Sequence, residues 1–104
     1  MTPIVIVTTT KDHQEAKQIA HDLVVLKLAA SAQISVINSV YRWQGELCET
    51  QEFQVSIKAI AANYHAIETA ITQRHSYDVP EIYAIPMGAM YPPYRNWLVA
   101  NAAP

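Results

Sequence analysis

S-V-Y-R-W-Q-G-E-L-C-E-T-Q-E-F-Q-V-S-I-K-A, the stretch from Ser39 to Ala59, decides the fold of this chain. Apolar and polar residues alternate on both sides of a short turn, Gln44-Gly45-Glu46, and this pattern predicts a β-hairpin. The second run presents one apolar face, made of Phe53, Val55, Ile57 and Ala59. Each strand is predicted to reach about ten residues or more, whereas a typical strand has about six. Because arms of this length extend past the body of a chain of 104 residues, the hairpin predicts an oligomer.

The residues before the hairpin predict a strand, a helix and a second strand. Ile4 to Thr10 is a β-branched run, which is typical of a buried strand. Asp12 and Glu15 have the spacing of a capping box, and apolar residues then recur at helical spacing. We therefore predict a helix over residues 12–30. A further β-branched run, Ile34 to Val40, leads into the hairpin.

The residues after the hairpin predict a helix, a strand and a short terminal helix. Asn63 is the predicted N-cap of a helix that ends near His75, and the segment Asp78-Val79-Pro80 cannot continue it. A strand is predicted from Glu81 to Pro86, and a helix from Tyr94 to Val99. The order β-α-β-β-α-β is the ferredoxin-like arrangement, an α+β fold with two helices on one face of a four-stranded antiparallel sheet. We expect a single domain over residues 1–104.

Composition favours a globular protein whose surface is partly covered by partners. The hydrophobic fraction of 51% is sufficient for a core, so the fold does not require a metal ion or a disulfide to stabilise it. Charged residues make up only 15%, while the chain has six tyrosines and two tryptophans. Aromatic residues are enriched where proteins meet one another. The net charge of −2 offers no basic footprint for nucleic acid, so we expect no nucleic-acid partner.

The cellular location is predicted from one cysteine and from the absence of long apolar runs. Cys48 is the only cysteine, which excludes an intrachain disulfide and fits a reducing compartment. The start, Met1-Thr2-Pro3, lacks the basic region and apolar stretch of a signal peptide. No apolar run approaches the roughly 20 residues of a membrane span. We expect a soluble, cytoplasmic protein that does not bind a membrane.

Five motifs along the chain resemble those of one known family. They are K-L-A-A at residues 27–30, S-V-Y-R-W-Q-G at 39–45, E-F-Q-V-S-I-K at 52–58, H-S-Y-D-V-P-E-I at 75–82 and Y-R-N-W-L at 94–98. In this order and spacing they resemble the CutA divalent-ion-tolerance family over nearly the whole chain. The resemblance implies a ferredoxin-like fold and a homotrimer in which long hairpins wrap neighbouring subunits. It also implies a function in tolerance or binding of divalent metals, copper above all.

The chain departs from that family at positions where a metal would bind. Ser31 stands where the family often has a cysteine, and Thr8 replaces a cysteine of members proposed to bind soft metals. His75 is the one imidazole left of a two-histidine motif. Soft ions prefer thiolates, whereas imidazole suits copper(II) and zinc. The candidate metal ligands are therefore His75 and Glu81, for copper(II) or a similar ion, with further ligands from neighbouring subunits left open.

Aromatic and charged residues from two parts of the chain are predicted to form an intersubunit cleft or interface. The predicted residues are Tyr41, Trp43, Glu52, Lys58, Tyr77, Tyr83 and Trp97, next to His75 and Glu81. An apolar pocket with a few polar groups is the usual form of a ligand site. The alternative is that these groups only bond to one another and fix the trimer interface, since buried polar groups need partners in any case.

The first functional prediction is a non-enzymatic divalent-metal tolerance protein. The alternative is a regulatory module that senses a small anion or nucleotide at the cleft around Lys58, like the trimeric nitrogen-signalling proteins, or a scaffold for a protein partner. The sequence contains no motif that is typical of a catalytic site. The chain has no G-x-S-x-G or H-E-x-x-H sequence, and its only glycines are Gly45 and Gly88.

Overall fold

A computed structural model describes residues 1–103 as a four-stranded sheet with helices on one face. The strands are β1 (Pro3–Thr10), β2 (Ser31–Trp43), β3 (Glu46–Ile60) and β4 (Ile82–Pro86). The helices are α1 (His13–Val25), α2 (Tyr64–Arg74) and α3 (Pro92–Asn101), with a short 3₁₀ turn at Ala61–Asn63. The strand order is β2-β3-β1-β4, and every neighbouring pair is antiparallel. The predicted α+β, ferredoxin-like fold is confirmed.

The two hairpin strands have 13 and 15 residues, which agrees with the predicted length of ten or more. β2 and β3 pair continuously from Ser31 opposite Lys58 to Trp43 opposite Glu46. The connecting turn is only Gln44-Gly45, and both residues have positive φ, at 51° and 81°. Positive φ at both central residues is the type I′ geometry, which matches the natural twist of the two strands. Gly45 adopts this conformation without the steric cost that a side chain would add.

Half of the hairpin has no third strand beside it. β1 pairs with β3 only from Pro3 opposite Ile60 to Thr10 opposite Phe53. We call residues 37–52, which lie beyond that ladder, the hairpin arm. The arm helps to make the molecule elongated, with extents of 45 × 26 × 20 Å.

The core lies between the sheet and helices α1 and α2. Alternation on the strands sends one set of side chains toward the helices. The predicted apolar face of β3 is part of this core, since Val55, Ile57 and Ala59 are fully buried and Phe53 packs against them. The helices contribute side chains at helical spacing, namely Ala16, Ile19, Leu23, Ile67, Ala70 and Ile71.

Helix α1 ends earlier than predicted. It stops at Val25 rather than near residue 30, because Lys27 takes a left-handed conformation with φ 60°. The Lys27 N–H donates to the Val24 carbonyl at 3.0 Å, and the Leu28 N–H donates to the Leu23 carbonyl at 3.0 Å. These two bonds form a Schellman motif, which closes a helix and here uses a lysine in place of the usual glycine. Leu28 still packs on the core, and this explains why the apolar spacing outlasts the helix.

Asn63 occupies the N-cap position of α2, as predicted. Its side chain makes no capping bond. Instead, its amide nitrogen donates to the carbonyls of Leu28, at 3.2 Å, and Ala102, at 2.6 Å. Asn63 therefore ties the end of the α1 segment to the end of α3. Among residues 1–103, no helix is both long and apolar enough to cross a membrane.

Candidate functional site

A cavity of about 610 Å³ opens where β1 ends and the hairpin arm begins. Its walls come from the end of β1, the arm and the segment 76–81 that precedes β4. We call it the loop cleft, and define it by its lining residues: Thr9, Ser39, Val40, Tyr41, Trp43, Glu52, Ser76, Tyr77, Asp78, Val79 and Glu81. Its volume falls in the range of pockets that hold small ligands.

His75 fixes the start of the segment that closes the cleft. Its side chain is completely buried, at 0% exposure. The ring Nε2 lies 2.7 Å from the Thr9 carbonyl, and the Tyr77 N–H donates to Nδ1 at 3.1 Å. The Thr9 carbonyl can only accept, so Nε2 is the donor to it, and a carboxylate oxygen of Glu15 also lies 3.3 Å from Nδ1. His75 therefore holds residues 75–77 against the end of β1.

Helix α1 anchors the same segment from the other side. Asp12 caps the helix by accepting a bond from the Glu15 N–H at 2.8 Å, as its sequence spacing predicted. The Glu15 carboxylate accepts bonds from the Ser76 N–H at 3.0 Å and from the Ser76 hydroxyl at 3.2 Å. The loop is thus bonded to a strand end and to a helix start, both of which belong to the core.

A buried carboxylate lies at the root of the hairpin arm. Glu52 is the first residue of β3 beyond the β1 ladder, and only 6% of it is exposed. Its Oε2 accepts a hydrogen bond from the Tyr77 hydroxyl at 2.7 Å. Burial, and then the bond and charge of Glu52, raise the pKa of Tyr77 well above its usual value. Tyr77 therefore stays protonated and remains a donor throughout the physiological pH range.

Two aromatic side chains of β2 form the opposite wall. Alternation and register place Tyr41 and Trp43 on the same sheet face as Glu52, the face turned away from the helices. They are 39% and 47% exposed, so their rings are partly open to the cavity. The Thr50 hydroxyl lies 3.5 Å from the Tyr41 hydroxyl and links the two arm strands at this point.

Comparison with known proteins assigns the family. The family model described as "CutA1 divalent ion tolerance protein" matches residues 4–101. The chain belongs to this family. A curated relative, the divalent-cation tolerance protein CutA of Thermus thermophilus, is 35% identical over 93% of this chain and 95% of its own length.

Solved structures of CutA proteins share the fold. The divalent cation tolerance protein of Thermus thermophilus superimposes with a TM-score of 0.92 at 33% identity, covering 97% of this chain and 99% of that one. The protein of Archaeoglobus fulgidus, described as a periplasmic divalent cation tolerance protein, gives 0.90 at 29% identity, covering 92% and 94%. The family resemblance read from the sequence motifs is therefore confirmed.

The family name implies a divalent cation, but residues 1–103 of one chain do not bring together a complete set of metal ligands. Within residues 1–103, no three or more His, Cys, Asp and Glu side chains come together as metal ligands would. Both ring nitrogens of His75 are engaged in the hydrogen bonds described above. Glu81 lies on the cleft wall and is exposed. The residues of one chain thus do not fit a resident divalent metal ion.

The structure brings some predicted site residues together and separates others. Tyr41, Trp43, Glu52, Tyr77 and Glu81 all line the loop cleft, and His75 lies behind it as the anchor of the loop.

Three other predicted residues lie outside the cavity. Lys58 is opposite Ser31, at the other end of the hairpin, and donates to the Gln33 side chain. Tyr83 is on β4 opposite Val7, and Trp97 is on α3 with its ring stacked at 6.0 Å on that of Tyr94.

Sequence reasoning missed part of the lining. Ser39 shares its strand face with Tyr41 and Trp43, so the alternation rule would have found it. Asp78 and Val79 belong to the breaker segment before Pro80, which was interpreted only as a helix stop. The place of Thr9 in the cleft cannot be predicted from the sequence, because it depends on where β1 ends against the loop.

Proposed function

We propose that the chain acts in divalent-cation tolerance as a non-enzymatic homotrimer, with the loop cleft as its ligand-binding site. Family membership supports the tolerance function. The observation that carries the proposed site is the cavity itself, which is ligand-sized and closed by a loop that His75 and Glu15 hold in place. A growth assay tests the function, in which a strain lacking its own CutA is complemented by this chain under copper stress. Equal copper sensitivity with and without the chain would contradict it.

The homotrimer is supported by apolar side chains that the single chain leaves exposed. They lie on the hairpin arm, at Leu47, and on the open strand β4, at Tyr83 and Ile85. Exposed apolar patches commonly mark protein interfaces. Light scattering should give about three times the chain mass of 11.6 kDa. A mass equal to that of one chain would contradict the trimer.

Copper(II) binding through His75 and Glu81 remains a prediction, and it requires ligands from more than one subunit. Glu81 is free to contribute a carboxylate, whereas His75 must first release Thr9 and Tyr77. Calorimetry on the oligomer should show saturable copper(II) binding that weakens in Glu81→Gln. Glu68→Gln, which changes the net charge equally but lies on α2, should bind as the parent does. A calorimetric titration that shows no saturation would reject copper(II) binding, while the proposal that the loop cleft binds a ligand would still stand.

The second candidate is a ligand-sensing regulatory module that binds a small anion through the ammonium group of Lys58. The predicted anion site at Lys58 is a separate location, because Lys58 lies outside the cleft and bonds Gln33. A thermal-shift screen with phosphate and nucleotides tests this candidate. A stabilising anion whose effect disappears in Lys58→Ala supports it, and no shift from any anion rejects it. A protein partner at the cleft, and a cytoplasmic location based on the single Cys48, remain predictions.

A further inference from the structure

The charge of the loop cleft has one sign. Its lining includes three carboxylates, Glu52, Asp78 and Glu81, and no lysine, arginine or histidine. A concave site lined by charges of one sign concentrates ligands of the opposite sign. The cleft therefore favours a cation over the small anion that the sequence predicted.

The most buried of these carboxylates still has an oxygen to offer. Glu52 Oε2 is bonded to the Tyr77 hydroxyl, while no donor among residues 1–103 reaches Oε1. Glu52 as a residue is only 6% exposed, and each oxygen of an ionised carboxylate can accept further hydrogen bonds. Glu52 thus presents a fixed negative charge with spare acceptor capacity at the base of the cleft.

The walls above Glu52 are aromatic. Tyr41 and Trp43 lie on one strand and Tyr77 on the facing loop, so ring systems border the cavity on two sides. Aromatic faces attract cations through their quadrupole, tryptophan most strongly, and rings of this kind recognise organic ammonium groups in many proteins. An ammonium ion with alkyl substituents gains both from the charge of Glu52 and from apolar contact with the rings.

The spacing of the carboxylates argues against a bare metal ion as the occupant of one cleft. Small divalent cations require several oxygen or nitrogen ligands that converge on one point, and the side chains of residues 1–103 do not converge in this way. A larger organic cation does not need convergent ligands, because its charge is spread over several substituents.

We propose that the loop cleft binds a small organic ammonium ion, with Glu52 as the counter-charge and Trp43 and Tyr41 as the aromatic walls. The inference rests on the loop cleft being the ligand site, and it names the class of ligand. It predicts that recognition depends on positive charge and on the aromatic wall together. Salt should weaken the binding, since part of the attraction is Coulombic.

Choline and 3,3-dimethylbutan-1-ol provide the test, because the alcohol has the shape of choline with an uncharged carbon in place of nitrogen. Calorimetry on the assembled protein should show saturable binding of choline and none of the alcohol. Glu52→Gln and Trp43→Leu should each weaken choline binding about tenfold or more. Glu68→Gln serves as the matched control for charge, and Trp97→Phe as the matched control for the loss of an indole. Both should bind choline as the parent does.

Some results would overturn the inference. These are no saturable choline binding, equal binding of the neutral alcohol, or undiminished binding in both cleft variants. Trp43→Leu keeps the test decisive even if Glu52→Gln fails to fold, because Trp43 is about half exposed. A copper(II) titration of the same sample separates the proposals. Copper binding that is lost in Glu81→Gln, without any choline binding, leaves the proposed function standing and rejects the ammonium ligand.

Discussion

Replacing Tyr77 with phenylalanine removes one hydroxyl group and leaves the buried carboxylate of Glu52 without its donor. Hydrogen bonds to charged groups contribute about 1.5–3 kcal/mol, and the loss of a partner also leaves the desolvated charge uncompensated. The bond is short, at 2.7 Å, and Glu52 is only 6% exposed, so the carboxylate relies on the Tyr77 hydroxyl as its donor. We expect Tyr77→Phe to lower the free energy of unfolding by about 2 kcal/mol near neutral pH.

The same variant should change the pH dependence of stability at the alkaline end. Tyr77 has a raised pKa in the folded protein, whereas in the unfolded chain a tyrosine loses its proton near pH 10. Above pH 10 the unfolded state binds fewer protons than the folded state, so unfolding becomes easier as pH rises. The stability advantage of the parent over Tyr77→Phe should be constant below pH 10. It should then shrink by at most about 1.4 kcal/mol per pH unit.

Guanidinium unfolding at one fixed protein concentration is the appropriate assay, because the stability of an oligomer depends on concentration. Tyr91→Phe removes a hydroxyl from an exposed tyrosine and should leave stability within about 0.5 kcal/mol of the parent. A double-mutant cycle with Glu52→Gln isolates the coupling between the two side chains. The prediction is refuted if Tyr77→Phe is as stable as Tyr91→Phe. It is also refuted if the difference in free energy of unfolding between the parent and Tyr77→Phe does not decrease above pH 10.

Three further predictions concern stability. Lys27→Gly should raise the free energy of unfolding by about 0.5–1 kcal/mol, because glycine adopts the left-handed conformation of Lys27 without strain. Chemical denaturation measures this increase, and a decrease in the free energy of unfolding would contradict the Schellman assignment. Thr8→Val should stabilise by about 1 kcal/mol, since the buried Thr8 hydroxyl has no partner within residues 1–103; a lower melting temperature would count against it. The ion pair with Arg74, at 2.7 Å, lowers the pKa of Asp22, so its stabilising effect is present above about pH 4 and is lost as pH falls. Asp22→Asn should therefore flatten the acid side of the melting-temperature profile, and an unchanged profile would rule this out.

The sequence was sufficient to predict what depends on local patterns. Alternation in residues 39–59 predicts the hairpin and its buried face, because one side of a sheet has to cover the core. The same rule places Tyr41 and Trp43 side by side in the cleft wall. The end of α1 was missed because a left-handed lysine gives no compositional signal, whereas a glycine would have done so.

The cleft itself depends on contacts between distant parts of the chain. Glu52 and Lys58 share a strand face, but six residues at about 3.3 Å each separate them by about 20 Å, so they do not belong to one small site. The bond between Tyr77 and Glu52 joins residues 25 positions apart, and no spacing rule predicts it. The same holds for His75, whose two bonds depend on how the loop meets the end of β1.

The unequal support of the hairpin has a consequence for hydrogen exchange. Residues 53–60 of β3 gain a second neighbour in β1, while the arm remains a two-stranded ribbon, and such ribbons have little stability in water on their own. We therefore expect the amides of the arm in an unassembled subunit to exchange with solvent faster than those of the core strands. Glu52 lies where the three-stranded part of the sheet passes into the arm and is bonded to Tyr77, so we expect a ligand at the cleft to slow the exchange of the arm amides.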